Sequence, residues 1–199
     1  MGVPEREIAG TAAAHAKLHD AVAGLSDDDM RSDCRLPDWT VGHLLTHLAR
    51  NADSVTRRLQ GAQERRLVPQ YVGGRLGRAG EIEAGAGRSA AEIVADLRAA
   101  DRAVDEMFAD TDPAVWERPV LKGGDVEVPA ADLAFARWRE VEVHLVDLGR
   151  GYSSSDWPDG LVQRWLPSLL DELAGRADGR TVMAWLLGRG DPPVLGPWG

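Results

Sequence analysis

Two short stretches of the sequence each place metal-binding side chains four residues apart. The first contains His43 and His47, and the second contains Glu140 and His144. Residues at i and i+4 lie one above the other on the same face of a helix, so each stretch can direct two such side chains into a shared interior. We predict that His47, Glu140 and His144 together hold a divalent metal such as zinc.

This donor set determines the chemistry that the site could perform. Zinc accepts imidazole nitrogen and carboxylate oxygen, and catalytic zinc sites have three protein ligands and an open fourth position. An open position can activate water or bind a thiolate. The one cysteine, Cys34, has no local activating partner, so we give it no catalytic role and expect any thiol to come from a cofactor. The alternative is that His47 and His144 are hydrogen-bonded histidines of the core.

Four helices are predicted to position these residues. A stripe of apolar residues with helical spacing indicates a first helix over residues 4–25. His15 and His19 lie on or beside that stripe. We interpret them as partly solvated histidines at one end of a bundle, with a substrate-facing role as the alternative.

Capping signals mark the remaining three helices. Thr40 or Asp38 can cap the second helix, which carries His47 near its buried side. Ser89 and Glu92 form a capping box at the start of the third helix, and Gly149 can end the fourth. The predicted ranges are about 40–62, 89–108 and 130–148.

Residues 61–88 between the second and third helices are rich in glycine and lose helical periodicity. The glycines match neither a dinucleotide-binding fingerprint nor a P-loop. Loops of this length are usually functional or disordered. We predict either a mobile surface loop or a lid that delivers Arg75 or Arg78 to an anionic ligand.

The later connections divide the chain. Residues 110–124 form a connector in which Trp116 is predicted to be a hydrophobic plug, and residues 125–129 are predicted to be extended. From residue 153 the sequence pattern changes, beginning with the run Ser-Ser-Ser-Asp-Trp-Pro-Asp. We therefore predict a bundle domain over residues 1–152 and a small subdomain over residues 153–199, too short to be stable alone.

The composition limits the classes of partner. The net charge of −9 argues against nucleic acid, whose phosphates need a basic surface, although a few arginines in a cleft can bind a small anionic substrate. No charged-then-apolar leader opens the chain, and no apolar run approaches the roughly 18 residues of a membrane span. A single cysteine fits a reducing compartment. We expect a cytoplasmic monomer or small homo-oligomer that binds neither nucleic acid nor membrane.

Four motifs in order along the chain resemble one known family. They are Pro-Asp-Trp-Thr-Val-Gly-His-Leu-Leu-Thr-His-Leu, the glycine-rich Gly-Gly-Arg-Leu-Gly-Arg-Ala-Gly-Glu-Ile-Glu-Ala-Gly-Ala-Gly-Arg, the helix Arg-Trp-Arg-Glu-Val-Glu-Val-His-Leu-Val-Asp-Leu and the closing Trp-Leu-Leu-Gly-Arg-Gly. Together they are similar to the mycothiol-dependent maleylpyruvate isomerases of the DinB-like superfamily of metal-binding bundles. The resemblance covers nearly the whole chain.

The resemblance implies a mainly α fold, namely an antiparallel four-helix bundle with a small α+β C-terminal subdomain. It implies that the zinc ligands are His47, Glu140 and His144, and that Arg78 and Arg189 face the thiol cofactor or the substrate carboxylates. The implied reaction is addition of a metal-activated mycothiol thiolate to maleylpyruvate, rotation about the resulting single bond, and elimination to fumarylpyruvate.

Two other functions are open on the same fold. A mycothiol S-transferase would use the same zinc and thiol on another electrophile. A non-enzymatic protein would use the site to bind a metal or a small ligand. Turnover on maleylpyruvate, on chlorinated or epoxide acceptors, or on none of them would distinguish the three.

Overall fold

Helical segments bounded by capping residues make up most of the chain in the computed structural model. The structure describes residues 2–195, which divide into two compact units between Asp156 and Trp157. The helices of the first unit are α1 (Glu5–Ala21), α2 (Asp27–Arg31), α3 (Val41–Gln63), α4 (Gly74–Ala86), α5 (Ala90–Asp110) and α6 (Asp132–Asp147). Strands β1 (Pro119–Leu121) and β2 (Glu127–Pro129) pair antiparallel, with Val120 opposite Val128.

Four of these helices form the predicted bundle. Helix α3 packs against α5 and α6, and α1 packs against α6 and α5. Their apolar stripes meet in one core, because a helix with an apolar face must bury that face against another element. The fully buried core leucines and isoleucine include Leu18, Leu44, Leu45, Leu48, Leu59, Ile93 and Leu97. Trp116 is also fully buried and contacts Phe108 edge-on, which confirms it as a hydrophobic plug.

The helix starts follow from local capping chemistry. The Thr40 side chain accepts a hydrogen bond from the backbone N–H of His43, and the His43 ring in turn lies against the Thr40 backbone, with Nδ1 3.3 Å from the nitrogen. Histidine therefore occupies the place that glutamate has in the usual capping box. Ser89 and Glu92 form the predicted box at the start of α5. Both predicted starts are confirmed.

The prediction that residues 61–88 form one long loop is wrong. Helix α4 occupies the middle of this segment and packs on α3. Ile82 and Gly85 are its buried residues, and a Cβ atom on Gly85 would come within 2.5 Å of the Thr46 methyl group. Glycine lowers intrinsic helix propensity, but here it allows the two helices to approach closely, so tertiary packing outweighs propensity.

A polar network crosses the interior of the bundle. Arg137 on α6 is fully buried. It donates to the Leu48 carbonyl at 2.9 Å, to Asn51 Oδ1 at 2.9 Å, to Asp101 Oδ1 at 2.5 Å and to His15 Nε2 at 3.1 Å. Burying a charge is costly unless it is paired and hydrogen-bonded, and this network satisfies both conditions.

His15 belongs to this network, so the interpretation of it as partly solvated is wrong. The residue is 1% exposed. Because Arg137 donates to Nε2, the His15 proton lies on Nδ1, which donates to Asp105 at 2.9 Å. His19 is more exposed and its Nε2 lies 2.9 Å from Asp101 Oδ2.

The second unit contains helices α7 (Asp159–Arg176) and α8 (Gly179–Leu186). The resemblance implied α+β structure there, but residues 157–195 contain no strand, and the two-stranded sheet belongs to the first unit. The first unit extends to Asp156, and within it Tyr152 hydrogen-bonds to the fully buried Glu142 and to the Asp156 carbonyl. A domain boundary after residue 152 stays a prediction. Residues 196–199 of the predicted subdomain lie outside the described residues.

Within residues 2–195, no helix combines the length and the apolar character that a membrane crossing requires.

Candidate metal centre

Three predicted ligands from two helices converge in the bundle. His47 on α3 and Glu140 and His144 on α6 each offer one ligand atom, and these three atoms lie within 4.8 Å of one another. The Glu140 Oε1 atom is 2.9 Å from His47 Nε2 and 3.7 Å from His144 Nε2. The two imidazole rings are perpendicular, with centroids 5.0 Å apart. Side chains of facing helices commonly build metal sites in this way.

Burial and hydrogen bonds shift the pKa of each member of the cluster. Burial lowers the pKa of His47 to about 4, so the ring is neutral near neutral pH. Burial alone would raise the pKa of Glu140, but hydrogen bonds to His144 and His47 outweigh it and hold the pKa well below its usual value. Burial would lower the pKa of His144, but hydrogen bonds to Asp147 and Glu140 raise it. The site thus contains an ionised carboxylate beside a neutral imidazole.

Asp147 orients one of the imidazole rings, a role that the sequence analysis missed. The His144 Nδ1 atom donates to Asp147 Oδ2 at 2.8 Å, which leaves Nε2 directed toward Glu140. Carboxylate partners of this kind fix the tautomer and orientation of histidines that bind metals. The signal in the sequence is the i, i+3 spacing of His144 and Asp147 on one helix.

Arg78 contacts the same cluster from helix α4. Its Nη2 atom lies 3.1 Å from His47 Nδ1. The guanidinium carbon lies 5.8 Å from the Trp39 ring and 5.7 Å from the Tyr71 ring. Arginine can only donate, so His47 Nδ1 accepts and the Nε2 proton faces Glu140.

Trp39 and Tyr71 are further members of the site that sequence reasoning missed. The Trp39 ring contacts His47 edge-on, with centroids 5.6 Å apart. Both rings lie within the roughly 6 Å at which aromatic faces attract a guanidinium. No spacing pattern connects Tyr71 to Trp39, because the two residues come together only when α4 packs on α3.

Other candidate residues lie apart from the ligand atoms. His43 caps α3, and its Nε2 is 3.4 Å from Glu83. Arg75 is exposed, whereas Arg78 is half-buried. Burial raises the pKa of the Cys34 thiol, whose sulfur lies 3.3 Å from the Trp39 carbonyl, and a raised pKa disfavours the thiolate.

Arg189 lies in the second unit. It is exposed and donates to the Leu187 carbonyl at 3.1 Å and to the Gly188 carbonyl at 3.3 Å. Its contact with a cofactor or substrate remains a prediction from the resemblance.

The fold and the converging donors define a four-helix-bundle protein with a candidate metal site between two helices. The family model for the mycothiol maleylpyruvate isomerase N-terminal domain matches residues 11–149. The chain therefore belongs to this family, as the sequence motifs predicted.

Two solved structures share the fold. A crystal structure of the mycothiol-dependent maleylpyruvate isomerase has 23% sequence identity and a TM-score of 0.77, and a histidine-to-alanine mutant of that enzyme has 22% identity and a TM-score of 0.77. Each match covers 80% of this chain and 66% of the solved chain. The search of curated proteins gave no match.

Proposed function

We propose that this protein is a zinc- and mycothiol-dependent isomerase that converts maleylpyruvate to fumarylpyruvate. The observation that carries the proposal is the convergence of His47, Glu140 and His144 in the bundle of a chain that belongs to this family. Arg78 beside that cluster supplies a positive charge for an anionic substrate.

The donor set fits zinc. Two imidazole nitrogens and one carboxylate oxygen match the ligand count of catalytic zinc sites, and among residues 2–195 the cluster has these three members. Asp147 keeps Nε2 of His144 available by accepting from Nδ1. When bound there, zinc would lower the pKa of a coordinated mycothiol sulfhydryl, which supplies the nucleophile.

The remaining residues would bind and orient the substrate. Arg78 can donate two parallel hydrogen bonds to a carboxylate or stabilise an enolate oxygen. Its contacts with Trp39 and Tyr71 limit the freedom of the guanidinium, which reduces the entropy lost when a substrate is held in a reactive geometry. Arg189 is proposed to face the thiol cofactor or a substrate carboxylate on the strength of the family motif.

The test is an isomerase assay on the purified full chain. We expect conversion of the cis to the trans product only with both mycothiol and bound metal, and elemental analysis should find one divalent metal per chain. Arg78→Ala should lower kcat/KM by about 10²- to 10³-fold, as is typical when one donor to a developing anion is removed. Arg75→Ala, an exposed change on the same helix, is the matched control. Equal losses in the two variants would contradict the role of Arg78.

A second candidate function is a mycothiol S-transferase. The observation that favours it is that the ligand cluster lies within the matched residues 11–149, because such a cluster can activate a thiol for addition to other electrophiles as well. Turnover of chlorinated or epoxide acceptors without turnover of maleylpyruvate would support the transferase. A filled metal site without turnover of any acceptor would indicate a binding protein.

A further inference from the structure

Arg58 on α3 is a buried cation whose hydrogen-bond partners are all uncharged. The residue is 5% exposed. Its Nε donates to the Ser54 carbonyl at 3.0 Å, one Nη to the Leu121 carbonyl at 3.0 Å and the other to Ser54 Oγ at 3.3 Å. Among residues 2–195, no carboxylate forms an ion pair with Arg58, unlike Arg137, which pairs with Asp101.

Burying the Arg58 guanidinium without an ion pair lowers the free energy of unfolding unless an anion binds beside it. A buried charge is tolerated when it is paired, and removing the partner of a buried pair is strongly destabilising. Burial lowers the pKa of Arg58 to about 10, so the guanidinium is still charged at neutral pH. A charged group with two remaining N–H donors and no carboxylate at ion-pair distance among residues 2–195 is a suitable receptor for a carboxylate.

The position of Arg58 connects it with the candidate metal centre. It follows His47 by eleven residues on α3, which is about 16 Å along a helix axis. Its hydrogen bonds to Ser54 show that the side chain reaches back by one turn toward His47. The negative charge of Glu140 acts on Arg58, because it opposes the lowering of the Arg58 pKa by burial, so Arg58 lies within electrostatic reach of one predicted ligand.

We infer that Arg58 forms a second anion subsite beside the ligand cluster, which binds one carboxylate of a dianionic substrate. Arg78 then faces the reacting end beside His47. The inference rests on the proposed function for the claim that the substrate has two carboxylates. The positive charge itself follows from the burial and bonding of Arg58.

A purely structural role for Arg58 makes a different prediction. The guanidinium joins α3 to β1 through Leu121, so its removal would lower stability in any case. Arg118 offers a matched control, since it also donates to backbone carbonyls, those of Ala62 and Gln63 at 3.0 Å. Loss of a structural contact alone would not change the preference for a dicarboxylate over a monocarboxylate.

The test is an NMR titration of the full chain with two unreactive probes, heptanedioate and heptanoate. The arginine Nε–H resonance that disappears in Arg58→Lys is assigned to Arg58 and followed in the wild type. We expect heptanedioate to shift this resonance. Its affinity should fall about tenfold or more in Arg58→Gln, the loss expected for a charge-assisted hydrogen bond, and less in Arg58→Lys. Arg118→Gln should bind it as the wild type does.

The outcomes separate this inference from the proposed function. An unshifted Arg58 resonance, or equal losses for heptanedioate and heptanoate, would overturn the subsite. If Arg58→Gln does not fold, the wild-type titration and Arg58→Lys still decide. Charge-dependent binding of heptanedioate without isomerase activity would support the subsite and contradict the proposed function. Isomerase activity with an unchanged KM in Arg58→Gln would support the proposed function and contradict the subsite.

Discussion

His47 has different partners on its two ring nitrogens. Nε2 donates to Glu140, and Nδ1 accepts from Arg78. A metal at Nε2 would require the ring proton to lie on Nδ1, and arginine has no atom that can accept it. Binding of a metal through Nε2 therefore requires the guanidinium to withdraw from His47, which would release Arg78 toward a substrate.

At the scale of single residues, we predict that His47→Ala, Glu140→Ala or His144→Ala abolishes metal retention. Each substitution removes one of the three donors that converge among residues 2–195, and two donors do not complete a catalytic zinc site. The measurement is the metal content of chelator-treated protein after reloading with zinc and dialysis.

His43→Ala is the control for this prediction. The residue lies one turn before His47 on α3 but caps the helix instead of joining the ligand cluster. We expect it to retain zinc, with a loss of stability of about 1 kcal/mol for the weakened cap. Full zinc occupancy in any ligand variant would contradict the assigned set.

At the scale of the elements, α4 depends on close approach to α3. Gly42 lies on α3 beneath the end of α4, and a Cβ atom there would meet the Ala86 carbonyl oxygen at 2.4 Å. A backbone atom cannot move aside as a flexible side chain can. The small residue thus sets the distance at which α4, and with it Arg78, lies over the ligands.

We therefore expect Gly42→Ala to displace α4 and to destabilise the fold by about 1–3 kcal/mol, a typical cost of overpacking. Gly80→Ala on α4 is the matched change, because a Cβ atom there has nothing within 4 Å, and it should stabilise by up to about 1 kcal/mol through helix propensity. Thermal unfolding of both variants provides the measurement. Equal melting temperatures would show that the close approach is unimportant.

The elements predicted from sequence were those whose signals are local. The caps at Thr40 and Ser89 and the apolar stripes define α3 and α5 without knowledge of the fold. Helix α4 was missed because its glycines lower local propensity, while the packing that stabilises it involves residues far away in sequence. His15 and Arg137, which form a hydrogen bond, lie 122 residues apart in the sequence. That Arg58 is buried without an ion pair among residues 2–195 is likewise visible only in the assembled bundle.

At the scale of the whole molecule, the buried cluster couples stability to pH. The pKa of His47 is about 4 in the folded protein against an ordinary value of 6.5. Between these values the unfolded chain binds a proton that the folded chain does not, so stability falls as pH falls, by up to about 1.4 kcal/mol per pH unit. His144 acts in the opposite sense, because its raised pKa adds stability that is lost as pH rises through the folded value.

The comparison of metal-free wild type with His47→Gln isolates the first effect. We expect the wild type to lose more stability than the variant between about pH 7 and pH 5, as measured by urea unfolding after chelator treatment. The same pH slope in both proteins would mean that the folded His47 ring takes up a proton at its ordinary pKa.

The Arg137 network also aligns the two helices that carry the predicted ligands. Arg137 lies one turn before Glu140 on α6, and its partner Asn51 lies one turn after His47 on α3. Slippage of either helix would break several bonds of a buried cation at once. The network therefore holds α3 and α6 at one offset along their axes, and with it the distances among His47, Glu140 and His144.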